Sequence, residues 1–123
     1  MILVDTSIWI DHLRSGSPAL ATLLHNEVVC THDFVIGELA CVNLRNRAEV
    51  QGLLQSLPRL SAATEDETLF FIEQQHVMGR GIGYIDAHLL AAAVIQDIPI
   101  WTKDKRLVAI AEEKGWAYAP GAN

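Results

Sequence analysis

A chain of 123 residues, half of them hydrophobic and a fifth charged, has the length and apolar content for one domain built on a single core, and is far from disordered or fibrous compositions. Its formal charge of -6 argues against a protein that grips a polyanion through overall positive charge. Met1-Ile2-Leu3-Val4-Asp5 lacks the charged start and long apolar run of a signal peptide, and no stretch approaches the roughly 20 apolar residues of a membrane span, so a cytoplasmic protein with no membrane contact is expected.

Ile2-Leu3-Val4 predicts a short buried strand that stops at Asp5-Thr6-Ser7. Residues 8–14 carry apolar or ring-bearing side chains at helical spacing, with Ile8, Trp9, His12 and Leu13 on one side. Gly16-Ser17-Pro18 breaks the chain, a helix resumes over 19–24, and a second strand follows over 27–30. Asp33 is the expected N-cap of a helix over 34–44. A helix over 48–57 ends before Pro58, and 60–63 reads as a short strand. Glu65-Asp66-Glu67 suits the positive end of the next helix, which Gly79, Gly81 and Gly83 are expected to end. A helix over 85–95, a buried strand over 99–101, a helix over 105–114 stopped by Gly115, and a last strand over 116–118 complete the chain. Strands alternating with helices predict an α/β, doubly wound architecture with a mostly parallel sheet of four to five strands, flanked by helices, in one domain over 1–123. Ligands of such sheets sit beyond the carboxyl ends of the strands, where Asp5 and Asp104 fall.

Cys30 and Cys41 have neither CxxC spacing nor a neighbouring histidine, and read as reduced, packed thiols rather than a disulfide or zinc site. Four acids invite more. Asp5 and Asp104 each precede a helix and are explained equally by capping. Glu38 shares a helix face with Phe34, Val42, Val35 and Leu39, and Asp86 shares one with Leu89, Leu90 and Ala93. A carboxylate on an apolar face needs a partner, and neither helix spaces a Lys or Arg to supply one. If the loops bring the four together, their repulsion requires a cation or protonation, and oxygen-only ligands favour Mg²⁺ or Mn²⁺. Such an ion activates water and stabilises charge on a phosphodiester. Thr6, Ser7 and Thr102 are hydroxyls beside these acids, placed to orient water or phosphate, or simply to cap. His12, His32 and His88 receive no catalytic role.

Val4-Asp5-Thr6-Ser7-Ile8-Trp9-Ile10, Gly37-Glu38-Leu39, the run from Gly83-Tyr84-Ile85-Asp86-Ala87-His88 through Ala93, and Trp101-Thr102-Lys103-Asp104-Lys105-Arg106-Leu107 together resemble the PIN-domain ribonucleases, and within them the VapC-type toxins of toxin-antitoxin pairs. The similarity spans nearly the whole chain. It implies a PIN-like fold, endoribonuclease activity dependent on Mg²⁺ with Mn²⁺ able to substitute, Asp5, Glu38, Asp86 and Asp104 as metal-binding acids, Thr6 and Thr102 as catalytic-site hydroxyls, a homodimer, and a cognate antitoxin protein. Asp104 is the acid whose position varies in the family and which binds through water. Arg14, Arg45, Arg47, Arg80, Lys103, Lys105 and Arg106 flank these segments, as RNA contacts or as solvated surface charge. Ile8, Trp9 and Leu13 serve either the core or a groove for an antitoxin helix anchored on Trp9.

Three other readings are open to test. A receiver domain shares the sheet but needs a phosphoacceptor Asp after a central strand, which residues 60–64 do not supply. A haloacid-dehalogenase-like phosphatase needs a second Asp where Ser7 stands. A pure binding protein on a PIN fold would cleave no RNA in a metal titration.

Overall fold

β1, Ile2–Val4, is three buried aliphatic residues that pair on both edges. The computed structural model describes residues 1–120. β1 lies at the centre of a parallel sheet, with β2 (Val29–Cys30) on one side and β3 (Ile100–Trp101) on the other. The register sets Ile2 against Val29 and Leu3 against Cys30, then Leu3 against Ile100 and Val4 against Trp101. The chain therefore builds to one side of β1 first and to the other side afterwards, so the strand order reverses at its carboxyl end.

Seven helices accompany these strands among the described residues: α1 (Thr6–Ser15), α2 (Pro18–His25), α3 (Asp33–Ala40), α4 (Arg47–Ser56), α5 (Glu65–Gln75), α6 (Tyr84–Ile95) and α7 (Lys105–Lys114). The α/β expectation of a parallel sheet flanked by helices is met. The sheet, however, has three strands rather than four to five. The segments expected to add strands pair through single bridges only, Thr31 with Arg59 and Ile100 with Ala117. Thr31 donates to the Pro58 carbonyl and accepts from the Leu60 amide, but His32 then turns into α3, so the neighbour runs out of extended chain to pair with. β3 ends likewise where Thr102, Lys103 and Asp104 lead into α7.

Several helix ends shift by one or two residues from those the sequence predicts, α5 stops at Gln75 with His76 as a left-handed C-cap rather than at the glycines, and both ends of α3 differ. His32, not Asp33, caps α3, its Nδ1 accepting from the Phe34 amide at 2.9 Å, and Asp33 becomes the first helical residue. The same helix stops at Ala40 instead of 44, before a stretch holding Asn43 and Asn46, whose short amides compete for backbone hydrogen bonds.

α6 is buried on nearly every side from Ala87 to Ala93, and its four alanines there let neighbouring elements approach closely. Leu3, Val4, Leu39, Leu89, Leu90, Ile100, Leu107 and Ile110 join it in one continuous core. Trp9 is fully buried in that core and Ile8 nearly so, which removes them from any exposed groove and corrects the antitoxin-anchor reading. The indole ring lies edge-on to His12, and among the described residues its N–H has no hydrogen-bond partner. Cys30 is buried and free; Cys41 is free but exposed, not packed, because α3 ends just before it. Among the described residues no helix is long and apolar enough to cross a membrane.

Candidate active site

Asp5 follows β1 directly and is the N-cap of α1, with 5% of its surface exposed. Its Oδ2 accepts from Ser7 Oγ at 2.8 Å, from Thr102 Oγ1 at 2.8 Å, and at longer range from the Ser7 amide at 3.4 Å. The two hydroxyls lie 3.3 Å apart. Ser7 Oγ also accepts from the Lys103 amide, and Thr102 Oγ1 from the Asp104 amide. The start of α1 and the loop after β3 are thus stitched together through one carboxylate oxygen. The capping bond from the Ser7 amide and the two hydroxyl bonds all end on Oδ2, so capping accounts for one of the three.

Glu38 sits near the end of α3, half-buried, and its Oε1 accepts from Thr6 Oγ1 at 2.9 Å. Burial raises its pKa above the usual carboxylate value, the Thr6 bond works against that, and the nearby Asp5 and Asp86 push it further up. Asp86, also half-buried, reaches back from the first turn of α6 to the Gly83 amide at 3.2 Å. Its pKa is raised chiefly by burial, opposed by the Gly83 bond, and raised again by Asp5 and Asp104. The four expected acids therefore share one electrostatic neighbourhood around the carboxyl end of β1. Neither Glu38 nor Asp86 is ion-paired with a Lys, Arg or His among the described residues.

Asp104 differs from the other three. It is exposed, and its Oδ1 accepts from the Arg106 and Leu107 amides as the N-cap of α7. Among the described residues no three His, Cys, Asp or Glu side chains draw close enough to hold an ion unaided. A hard cation such as Mg²⁺ keeps several waters and takes few carboxylates directly, so any fit rests on the oxygen chemistry of these acids and not on a preformed ligand set. Oxygen donors, and two half-buried carboxylates whose pKa values are raised chiefly by burial and which lack a basic partner among the described residues, suit such an ion.

Thr6 and Thr102 both point into this neighbourhood, each holding a different acid. Ser7, which was only a neighbouring hydroxyl in the sequence, links Asp5, Thr102 and Lys103, and its place two residues after a capping Asp was the signal available. The three histidines singled out in the sequence make local structural bonds. His12 Nδ1 accepts from Ser17, His32 caps α3, and His88 Nδ1 meets Thr68 Oγ1 at 3.1 Å in the interior. Several of the flanking basic residues are also occupied. Lys103 pairs with Asp11, Arg80 with Glu113 at 2.9 Å, Arg47 reaches the Val42 carbonyl, and Arg106 donates to the Gly81 carbonyl. Gly81 has φ +86°, and a Cβ there would lie 2.6 Å from the Arg106 side chain, so this glycine lets Arg106 brace the loop that leads to Asp86.

The chain belongs to the PIN domain family, whose model matches residues 2–113. It is 42% identical over 120 residues to Ribonuclease VapC32 of Mycobacterium tuberculosis, covering 97% of each chain. Its fold resembles that of a toxin-antitoxin complex from Klebsiella pneumoniae, with TM-score 0.67 and 16% identity over 89% of this chain and 91% of that one. It also resembles Mycobacterium tuberculosis VapC20, a sarcin-ricin loop cleaving toxin, with TM-score 0.64 and 19% identity over 98% and 99% of the two chains.

Proposed function

We propose that this protein, as a single PIN domain over 1–123, is a cytoplasmic, metal-dependent endoribonuclease and the toxin of a toxin-antitoxin pair. The observation that carries the proposal is a shared carboxylate neighbourhood at the carboxyl end of β1, without basic partners, in a chain 42% identical to a ribonuclease. In this reading Asp5, Glu38 and Asp86 hold Mg²⁺, or Mn²⁺ in its place, while Asp104 acts through water because its Oδ1 serves α7. When bound, the ion supplies the means to activate a water and to offset charge building on the phosphodiester.

The chain's own residues do the positioning. Thr6 fixes the rotamer of Glu38, and Ser7 with Thr102 fixes Asp5, so two carboxylates are held in place before any ligand arrives. The Gly83 amide holds Asp86 in the same way. RNA is the substrate, a cognate antitoxin protein the inhibitor, and two copies of the chain form the working particle. The antitoxin must use a surface other than Trp9.

The test is RNA cleavage by purified protein with Mg²⁺ or Mn²⁺ titrated in. Cleavage should require the metal, disappear with EDTA, and be lost in Asp5→Asn, Glu38→Gln and Asp86→Asn. Full activity of Asp86→Asn, or cleavage that survives EDTA, overturns the assignment; no cleavage under any metal condition leaves the fold as a binding module.

A further inference from the structure

A concave cavity of about 500 Å³ opens between the carboxyl end of α1 and the segment joining α3 to α4, with Arg14, Arg45, Asn43, Asn46, Leu13 and Val50 in its wall. Arg14 and Arg45 are exposed, and among the described residues neither pairs with a carboxylate. Arg59, Arg80 and Lys103 each do. In a chain of net charge -6, two unpaired guanidinium groups facing one concavity are a local exception to the overall field. Asn46 stands at the N-cap of α4 without making the capping bond, which leaves its amide free to meet a ligand. Arg47, bonded to the Val42 carbonyl, braces the loop from the side.

We propose that this cavity is a second RNA contact, in which Arg14 and Arg45 take the backbone phosphates of single-stranded RNA away from the bond being cleaved. The inference rests on the ribonuclease reading above. Two of the helices that carry site residues run to the cavity: α1 begins at Thr6 beside Asp5 and reaches Arg14, and α3 carries Glu38 and ends at Ala40 just before the loop. At about 1.5 Å of rise per residue, Arg14 stands roughly 13 Å along α1 from Asp5, within a few nucleotides' reach of the carboxylates. Guanidinium groups match phosphate in a two-point fork, and the amides of Asn43 and Asn46 add neutral donors beside them. Leu13 and Val50 offer an apolar wall against which a base or ribose sits, the mixture of charge and apolar surface that single-stranded nucleic acid uses. Positive groups at this place also give a polyanion a foothold on a protein whose cleft is acidic.

The experiment measures anisotropy of a short, mixed-sequence, fluorescein-labelled single-stranded RNA bound to the full chain in a Glu38→Gln background, across a salt series. Arg14→Ala and Arg45→Ala should each weaken binding roughly fivefold to tenfold at low salt and flatten the slope of log affinity against log salt by about 0.7 for each phosphate no longer neutralised. Arg14→Lys and Arg45→Lys should recover the slope but only part of the affinity, because charge is kept and the fork is removed. Arg59→Ala, an exposed arginine already paired with Asp33, should change neither. Melting curves identical to the parent exclude misfolding as the cause. Binding by Arg14→Ala and Arg45→Ala equal to that of Arg59→Ala overturns the proposal. So does a loss confined to capture of the protein encoded beside this one, which would make the cavity a protein-docking site. Absence of RNA binding by the Glu38→Gln parent, with no cleavage by wild type, removes the ribonuclease reading itself and is distinguishable from either result.

Discussion

Replacing Thr102 with valine keeps the shape and β-branching of the side chain but deletes the hydroxyl that joins Asp5 to the loop after β3. Thr102 Oγ1 donates to Asp5 Oδ2 at 2.8 Å and accepts from the Asp104 amide at 3.1 Å. Asp5 is nearly inaccessible, so water cannot replace the missing donor, whereas the Asp104 amide belongs to an exposed residue and can turn to solvent. Losing a hydrogen bond to a carboxylate costs about 1.5 to 3 kcal/mol, and the second bond adds little, giving an expected destabilisation of about 2 kcal/mol. For a chain of this length that corresponds to a fall in Tm of roughly 6 to 10 °C. Thr102→Ser should recover most of it. The assay is thermal unfolding of Thr102→Val, Asp5→Asn and the double variant in metal-free buffer, combined with Mg²⁺-dependent RNA cleavage of the single variants. Because both side chains serve one bond, the double variant should lose about 1 kcal/mol less than the sum of the singles. Additive losses, or a Thr102→Val protein melting with wild type, would refute the role given to this bond in holding Asp5.

Three further outcomes follow from burial and charge. Glu38 and Asp86 have folded-state pKa values raised above the unfolded ones, so the folded protein holds more protons in that interval; metal-free stability should fall as pH rises through and beyond the usual carboxylate range, Glu38→Gln and Asp86→Asn should melt higher than wild type at pH 7, and Mg²⁺ should stabilise only wild type, all read by calorimetry. His32 has its pKa lowered, chiefly by burial, so the unfolded chain binds the extra proton and stability should drop as pH falls below about 6.5, a slope that His32→Asn should flatten. Trp9→Ala should cost about 3 to 5 kcal/mol by opening a core cavity, while Trp9→Phe, which removes an indole N–H lacking a partner, should be far milder, as urea unfolding will tell.

What local pattern determined is what depends on neighbours in the chain. A buried aliphatic run followed by Asp-Thr-Ser placed Asp5 at a strand's carboxyl end, and helical spacing put Glu38 and Asp86 among apolar side chains with no basic residue in reach. These facts, with the α/β alternation, made the acids candidates, and the resemblance to PIN-domain ribonucleases joined them into one expected site. Tertiary packing decided the rest. Thr6 holds Glu38 across 32 residues and Thr102 holds Asp5 across 97, distances at which no periodicity speaks. Trp9 and Leu13 share a helix, yet Trp9 is fully buried while Leu13 stays half-exposed in the wall of the arginine-lined cavity, because packing against α3 and the core, not amphipathic spacing, sets how deep each face goes. Residues 60–63 and 116–118 have strand composition, but a strand is completed only by a partner that stays extended, and after two residues β2 gives way to α3 and β3 to the loop that carries Thr102 and Asp104.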